Sequence, residues 1–335
     1  MRPMKKGMIA VTGADGFLGS NVVRALLAAG YDVQAILEPG RETGTLAGLE
    51  YEARRGSLLD AGFVSEAVRG ADAVIHTAAS TAVWPNRIPS MRTLNVVAAV
   101  ELAREAKAAG VPAFVHVGSA SSFAWGTRDQ PGDEAGEYRS GHFGLDYQDT
   151  KKEAQDSMLA LQAGGFRLVV VNPTFMFGPY DSKPGSGEMI LSVAARKVPG
   201  YTSGGRSFAD VRAVAKGIVA ALERGRGGQC YILGGNNLSY GEAFSAIAAV
   251  VEVVPPRFKL PGAAALAYGA IGSAIASLTG KPPKLSLAMT RVSLEGQYYS
   301  SAKAERELGY AVGNFDDAVG AAVAWFKANG KMKTL

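Results

Sequence analysis

A chain of 335 residues that is 47% hydrophobic and 19% charged can bury a large core, has room for two lobes, and leaves no stretch poor enough in apolar residues for long disorder. Its 35 basic and 30 acidic residues give a formal net charge of +5, but they are scattered, which describes a solvated surface and excludes a nucleic-acid footprint. A single cysteine, Cys230, excludes an internal disulfide, suits a reducing compartment, and reads as a small apolar residue in a strand over 229–233.

Residues 1–7 are too short, and too quickly followed by a strand, for a signal peptide, so a cytoplasmic location is expected. The apolar, β-branched run 8–11 predicts a buried strand, and it gives way to Gly13, Gly16 and Gly19 at spacings of three. If a dinucleotide lies here, one glycine allows a tight turn, one admits the pyrophosphate to the backbone, and one lets the following helix pack closely. That helix is predicted over 21–29, closed by Gly30, with its amides toward the phosphates. Taken alone, the pattern is equally an ordinary strand–turn–helix.

Further strands are predicted over 32–37, 51–53, 73–76, 113–117 and 167–171, with helical stretches over 89–109 and 147–163. Such alternation implies right-handed crossovers and a doubly wound parallel α/β sheet, with ligands at the carboxyl ends of the strands. Glu38 closes the second strand 19 residues after Gly19, where a carboxylate would accept hydrogen bonds from ribose hydroxyls. A 2′-phosphate would meet like charge there, which favours NAD; Arg41 keeps NADP open. Residues 262–280 carry no charge and are long enough to cross a bilayer, but they are mostly Ala, Gly and Ser, so a close-packed helix and no membrane span is expected. Three histidines (His76, His116, His142) and one cysteine predict no metal cluster.

Tyr147 and Lys151 are four residues apart on a helix-compatible stretch and therefore share a face. A nearby ammonium favours the phenolate and brings a tyrosine toward acid/base work. An exposed helix with a snorkelling lysine would look the same. Ser119, at the end of the fifth strand and 28 residues before Tyr147, adds a hydroxyl able to hydrogen-bond a substrate oxygen as charge develops on it.

These motifs, in this order, resemble an extended short-chain dehydrogenase/reductase over nearly the whole chain. Gly13, Gly16 and Gly19 resemble that family's T-G-x-x-G-x-x-G, Tyr147 and Lys151 its Y-x-x-x-K, and Ser119 its catalytic serine, with Ser121 and Ser122 as rivals. Val74-Ile75-His76-Thr77-Ala78-Ala79 is similar to its V-I-H-x-A-A, Asn95 to its structural asparagine, and Asn172-Pro173-Thr174 with Phe177-Gly178-Pro179 to its R-P-x-x-V-Y-G-P. Lys303 through Tyr310 resembles its closing K-A-x-x-E-L-G-Y.

The resemblance implies that Tyr147 is the general acid/base, Lys151 holds the nicotinamide ribose and Ser119 orients the substrate oxygen. It implies a cofactor lined by Gly13, Gly16, Phe17, Leu18, Gly19, Glu38, Ser57, Leu58, Ala78, Ala79, Tyr147, Lys151 and Pro173. It also implies dimerisation through a four-helix contact. Three departures stand out. Ser57 replaces the usual aspartate to the adenine amino group, Trp125 replaces the tyrosine of V-Y-G and either covers the substrate or fills space, and Ala213 replaces an aspartate.

The family branch most similar is that of dihydroflavonol reductases and 3β-hydroxysteroid dehydrogenases. Residues 240–280 are poor in charge, which favours a hydride transfer between NAD and a small apolar ketone or secondary alcohol, with Arg206 then a structural ion pair. The alternatives are a nucleotide-sugar epimerase, in which Arg206 would clamp the pyrophosphate, and a catalytically silent cofactor-binding sensor. The lack of an Asp-Glu pair after Ser119 speaks against sugar 4,6-dehydration. The Rossmann domain is expected over 1–172 and 209–235, and an interleaved C-terminal substrate lobe over 173–208 and 236–335.

Overall fold

The structure is a computed structural model describing residues 6–332. Its first half runs β1 (Met8–Thr12), α1 (Phe17–Ala28), β2 (Asp32–Leu37), β3 (Glu52–Arg55), α2 (Ala61–Val68) and β4 (Ala73–His76). A continuous helical rod follows: α3 (Pro89–Arg92), a π-helical turn (Thr93–Ala98) and α4 (Ala99–Ala108). Then come β5 (Ala113–Val117), α5 (Asp146–Leu159) and β6 (Arg167–Pro173). The second half is β7 (Phe175–Phe177), α6 (Glu188–Ala194), β8 (Gly205–Asp210), α7 (Val211–Arg224), β9 (Cys230–Leu233) and β10 (Asn236–Ser239). It closes with α8 (Tyr240–Val250), α9 (Gly262–Thr279), α10 (Leu287–Leu294), β11 (Gly296–Gln297), α11 (Ala302–Leu308) and α12 (Phe315–Ala328).

Seven parallel strands make the main sheet in the order β3-β2-β1-β4-β5-β6-β9. The order reverses between β1 and β4, so the crevice above those two strands is the topological switch point where such sheets bind ligands. The central strands are apolar on both faces because helices cover both. Val170 packs with Phe114, Leu102 and Met158 under α4 and α5, while Val171 packs with Val22, Leu26 and Ile218 under α1 and α7. β8 anchors a second, mixed sheet, antiparallel to β10 and parallel to β7 and β11. A third core gathers there around Phe177, Phe208, Phe315 and Phe326. α11, although its residues fall in the stretch expected to form the second lobe, adds Ala304 and Leu308 to the core under the main sheet.

The differences from expectation have local causes. α1 begins at Phe17 rather than at residue 21, because Gly16 N–H bonds the Gly13 carbonyl (2.9 Å) and the Gly16 carbonyl already accepts from Ser20 N–H (2.9 Å). The glycine turn therefore feeds straight into the helix. β3 is an edge strand with all four residues exposed, so it carries no apolar alternation from which its ends can be read. α9 forms, but it is not close-packed all round. Only Ala265, Gly269 and Ala276 are buried, against α10, where a Cβ at Gly269 would come within 2.2 Å of Thr290 Oγ1. The remaining surface of α9 faces outward, so its composition does not describe the lining of the crevice.

Candidate active site

The site starts at the glycine turn. Gly13 has φ +63°, and a Cβ there would lie 2.8 Å from the backbone of Ala78. A Cβ on Gly19 would lie 2.0 Å from the Gly13 carbonyl oxygen. Both positions are closed to any side chain, for conformation at the first and for close helix–turn contact at the second. Thr77 fastens the turn from the next strand, its hydroxyl donating to the Thr12 carbonyl (2.6 Å) and the Gly13 carbonyl (3.3 Å). Sequence reading passed over Thr77, although it stands in the same motif as Ala78 and Ala79. No side chain caps α1, so the amides of its first turn, which includes the half-buried Phe17 and Leu18, are open to an anion. These residues fit a dinucleotide: a cradle that any Cβ would fill, ending in an uncapped helix start.

The residues expected to receive the adenosine half stand at the ends of neighbouring strands. Glu38 is exposed just past β2. Arg41 leans back toward Asp15 in the glycine turn (4.0 Å), so a cation and a carboxylate both border it. Ser57 is occupied locally, its hydroxyl accepting from Leu59 N–H (3.3 Å), and Leu58 is buried in the core. Ala79 is half-buried after β4, and Pro173 is buried at the end of β6 opposite Leu233.

Tyr147 and Lys151 occupy successive turns at the start of α5. Lys151 is buried and its ammonium donates to the Val117 carbonyl at the end of β5 (2.9 Å). Loss of water alone lowers its pKa to about 8. His76 and His116 stack nearby at 5.5 Å, and burial with the Lys151 charge holds both far below the usual imidazole range, so both are neutral. Tyr147 behaves differently from expectation. Burial raises its pKa; the opposing influences are a hydrogen bond with the Ser119 hydroxyl and the charge of Arg206, while Lys151 is directed at the strand end.

Ser119 is extended and caps the short 3₁₀ turn Ala120–Ser122, its Oγ lying 2.9 Å from Ser121 Oγ. Its carbonyl accepts from Asn172 Nδ2 (3.0 Å), which also donates to Gln155 of α5 (2.7 Å). Of the two rivals, Ser122 is fully buried and Ser121 hydrogen-bonds to Ser119 itself, and Ser119 is the one of the three whose hydroxyl acts on the Tyr147 pKa. Asn95 sits in the π-helical turn. It accepts from Ser80 N–H (2.7 Å), donates to the Ser80 carbonyl (3.0 Å), and donates to Thr150 of α5 (3.2 Å).

Arg206, on β8, reaches the site from the second sheet. Its Nε donates to the Tyr240 hydroxyl (2.8 Å) and its guanidinium lies 4.9 Å over the Phe175 ring. Its charge acts on the Tyr147 and Tyr299 phenols, and among the described residues no carboxylate pairs with it. The expected structural ion pair is therefore absent. Trp125 fills space: it is buried against Phe143 (5.6 Å, stacked), with the Arg139 guanidinium 4.5 Å over its ring. Ala213 lies on α7 against the main-sheet core, away from these groups.

A doubly wound sheet with a glycine cradle at its switch point, and a serine, a tyrosine and a buried lysine beside it, defines a dinucleotide-binding protein. Comparison with known proteins agrees. The profile of the NAD dependent epimerase/dehydratase family matches residues 9–234, and the chain belongs to that family, the extended short-chain dehydrogenases/reductases, which comprises NAD(P)-dependent oxidoreductases and epimerases. A Synechocystis sp. protein named "Putative dihydroflavonol 4-reductase" is 30% identical over 97% of this chain and 96% of its own. "Sterol demethylase protein B" of Methylococcus capsulatus is 28% identical over 96% and 98%. The crystal structure of a nucleoside-diphosphate-sugar epimerase from Pseudomonas aeruginosa superposes with a TM-score of 0.77 at 28% identity, covering 98% of this chain and 100% of its own.

Proposed function

We propose that the protein is an oxidoreductase that interconverts a small, largely apolar ketone and its secondary alcohol, with NAD as cofactor and Tyr147 as general acid/base. The observation that carries this reading is the convergence of the Tyr147 phenol, on whose proton affinity both the Ser119 hydroxyl and the Arg206 charge act, with the Lys151 ammonium fixed one helical turn away on the strand-end carbonyl. When bound, the nicotinamide supplies or accepts the hydride. In reduction, the Ser119 hydroxyl donates a hydrogen bond to the carbonyl oxygen as negative charge builds on it, and the Tyr147 phenol delivers the proton to that oxygen. In oxidation the Tyr147 phenolate takes the proton from the alcohol, and the Arg206 charge raises the fraction of the protein that carries that phenolate at a given pH. Gly13, Gly16, Gly19 and the start of α1 would hold the pyrophosphate, with Glu38 on the ribose and Ser57 and Leu58 toward the adenine. Ala78, Ala79 and Pro173 would line the nicotinamide half, and Lys151 its ribose. Residues 173–208 and 236–335 would supply most of the substrate lobe.

Two relatives whose names denote a dihydroflavonol reductase and a sterol-processing protein support an apolar substrate, as do Phe175, Tyr240 and Tyr299 around Arg206. Arg206 also favours a second reading. A guanidinium without a carboxylate partner, beside the acid/base tyrosine, is suited to a substrate diphosphate, as a nucleotide-sugar epimerase requires. Turnover of a ketone panel with NADH and with NADPH, run beside UDP-sugar interconversion without added cofactor, separates the two. The proposal expects NADH oxidation with a ketone, abolished in Tyr147→Phe while cofactor binding persists. Interconversion of a UDP-sugar with no ketone reduction would replace it with the second reading.

A further inference from the structure

Helix α9 carries no charged residue, and most of the part that is not packed on α10 is apolar. Tyr268, Ile271, Ile275 and Leu278 follow one another at steps of three and four residues, so they form one stripe, turned away from the buried Ala265, Gly269 and Ala276. Leu278 is 88% exposed, and Phe258, in the loop leading into the helix, is 73% exposed. Six of the nine large exposed hydrophobic side chains among the described residues lie between Val254 and Leu278. A soluble monomer scatters such side chains; a contiguous patch marks a surface that is covered.

The charges around the patch indicate what covers it. From Val253 to Leu294 there is no acidic residue, whereas Arg257 and Lys259 precede the helix and Lys281, Lys284 and Arg291 follow it. All five are exposed, and among the described residues none is paired with a carboxylate. An apolar stripe with unpaired cations at both ends matches an anionic lipid surface, where acyl chains take the apolar face and headgroup phosphates the cations.

The helix is long and apolar enough to cross a bilayer by length and composition, but the fold holds both its ends in one body. Tyr201 exchanges backbone hydrogen bonds with Phe258 (3.0 Å) and Leu260 (2.8 Å) before the helix, and after it the Thr202 hydroxyl donates to the Ser293 carbonyl (2.6 Å) at the end of α10. With entry and exit tied to the same protein mass, the helix has one side to offer, not two ends to separate.

We infer that α9 and Phe258 form a docking surface that seats the protein flat on the headgroup region of a membrane rich in anionic lipid. α10 connects this surface to the turn Ser140–Phe143, whose Ser140 hydroxyl bonds the Ser121 carbonyl (3.0 Å) beside the catalytic serine. The docking surface stands whatever the substrate proves to be.

Sedimentation of the purified full-length protein with vesicles tests the inference. The wild type is expected to pellet with vesicles of mixed phosphatidylglycerol and phosphatidylcholine, to pellet weakly with phosphatidylcholine alone, and to be released by salt. Ile271→Glu/Ile275→Glu changes two exposed side chains. It is expected to keep the wild-type circular dichroism spectrum and remain in the supernatant. Arg257→Gln/Lys259→Gln/Lys281→Gln/Lys284→Gln is expected to lower partitioning on anionic vesicles by about fivefold per cation removed. A wild type that ignores both vesicles, or a folded Ile271→Glu/Ile275→Glu protein that binds as the wild type does, would overturn it. So would a wild-type dimer that the isoleucine variant turns into monomer, because the stripe would then be a contact between two copies of this chain.

Discussion

Lys151 is a cation held out of water with no counter-charge among the described residues, and its cost can be measured. Its pKa of about 8, against 10.5 for the free side chain, means that the folded protein releases this proton more readily than the unfolded chain does. Between those values the unfolded chain binds more protons, so stability rises with pH across that window, and below about pH 8 the full penalty is present. From pH 7 to pH 10 the relief amounts to about 2 to 3 kcal/mol, at about 1.4 kcal/mol per pKa unit. Lys151→Met keeps the aliphatic stem and removes the charge. Urea denaturation of both proteins at pH 7 and pH 10, without cofactor, isolates the effect as a difference of differences, because every other titrating group is common to both. The wild type is expected to gain about 2 to 3 kcal/mol on the variant as pH rises, and the variant is expected to lose turnover at both pH values. A stability gap between the two proteins that does not move with pH would refute the assignment of Lys151 as an unpaired buried cation.

Gly19→Ala places a methyl 2.0 Å from the Gly13 carbonyl oxygen, so the turn must shift by about 1 Å, at roughly 1 to 3 kcal/mol of overpacking. Titration with NADH followed by fluorescence is expected to show affinity reduced at least about tenfold. Gly164→Ala, at an exposed position with open space around it, is the control and should match the wild type. Arg206→Gln removes the charge that pulls the Tyr147 pKa down, so the pH of half-maximal alcohol oxidation is expected to rise. An unchanged pH–rate profile would show that the guanidinium does not act on the phenol.

The fold and the dinucleotide cradle of this chain were legible because they are carried by short-range patterns. Three glycines after an apolar strand admit few other uses once a tyrosine and lysine at helical spacing follow, and the alternation of strands and helices named the doubly wound sheet. What escaped was set by partners far away in sequence. Arg206 looked the same on paper whether it faced a carboxylate or open ground, and only folding put Phe175 beneath it and Tyr240 beside it. β3 lacked an apolar face to read, because nothing covers an edge strand. α9 misled for the opposite reason. Nearly all its residues are apolar or small, so no periodicity distinguished the seam on α10 from the stripe left open. Thr77 was hidden by its plainness, since a threonine after a strand has no signature until its hydroxyl is seen on two carbonyls.

Asn95 bears on how such a protein can change over time. Through one carboxamide, the loop that forms the floor beneath the glycine turn and the helix bearing Tyr147 and Lys151 are joined. A drift in either would drag the other along, so the shape of the glycine cradle and the placement of Tyr147 and Lys151 move as one unit. Arg206, arriving on a strand of the other sheet, is outside that bond. Substitutions on that side can reshape what faces the crevice while the carboxamide link stays in place.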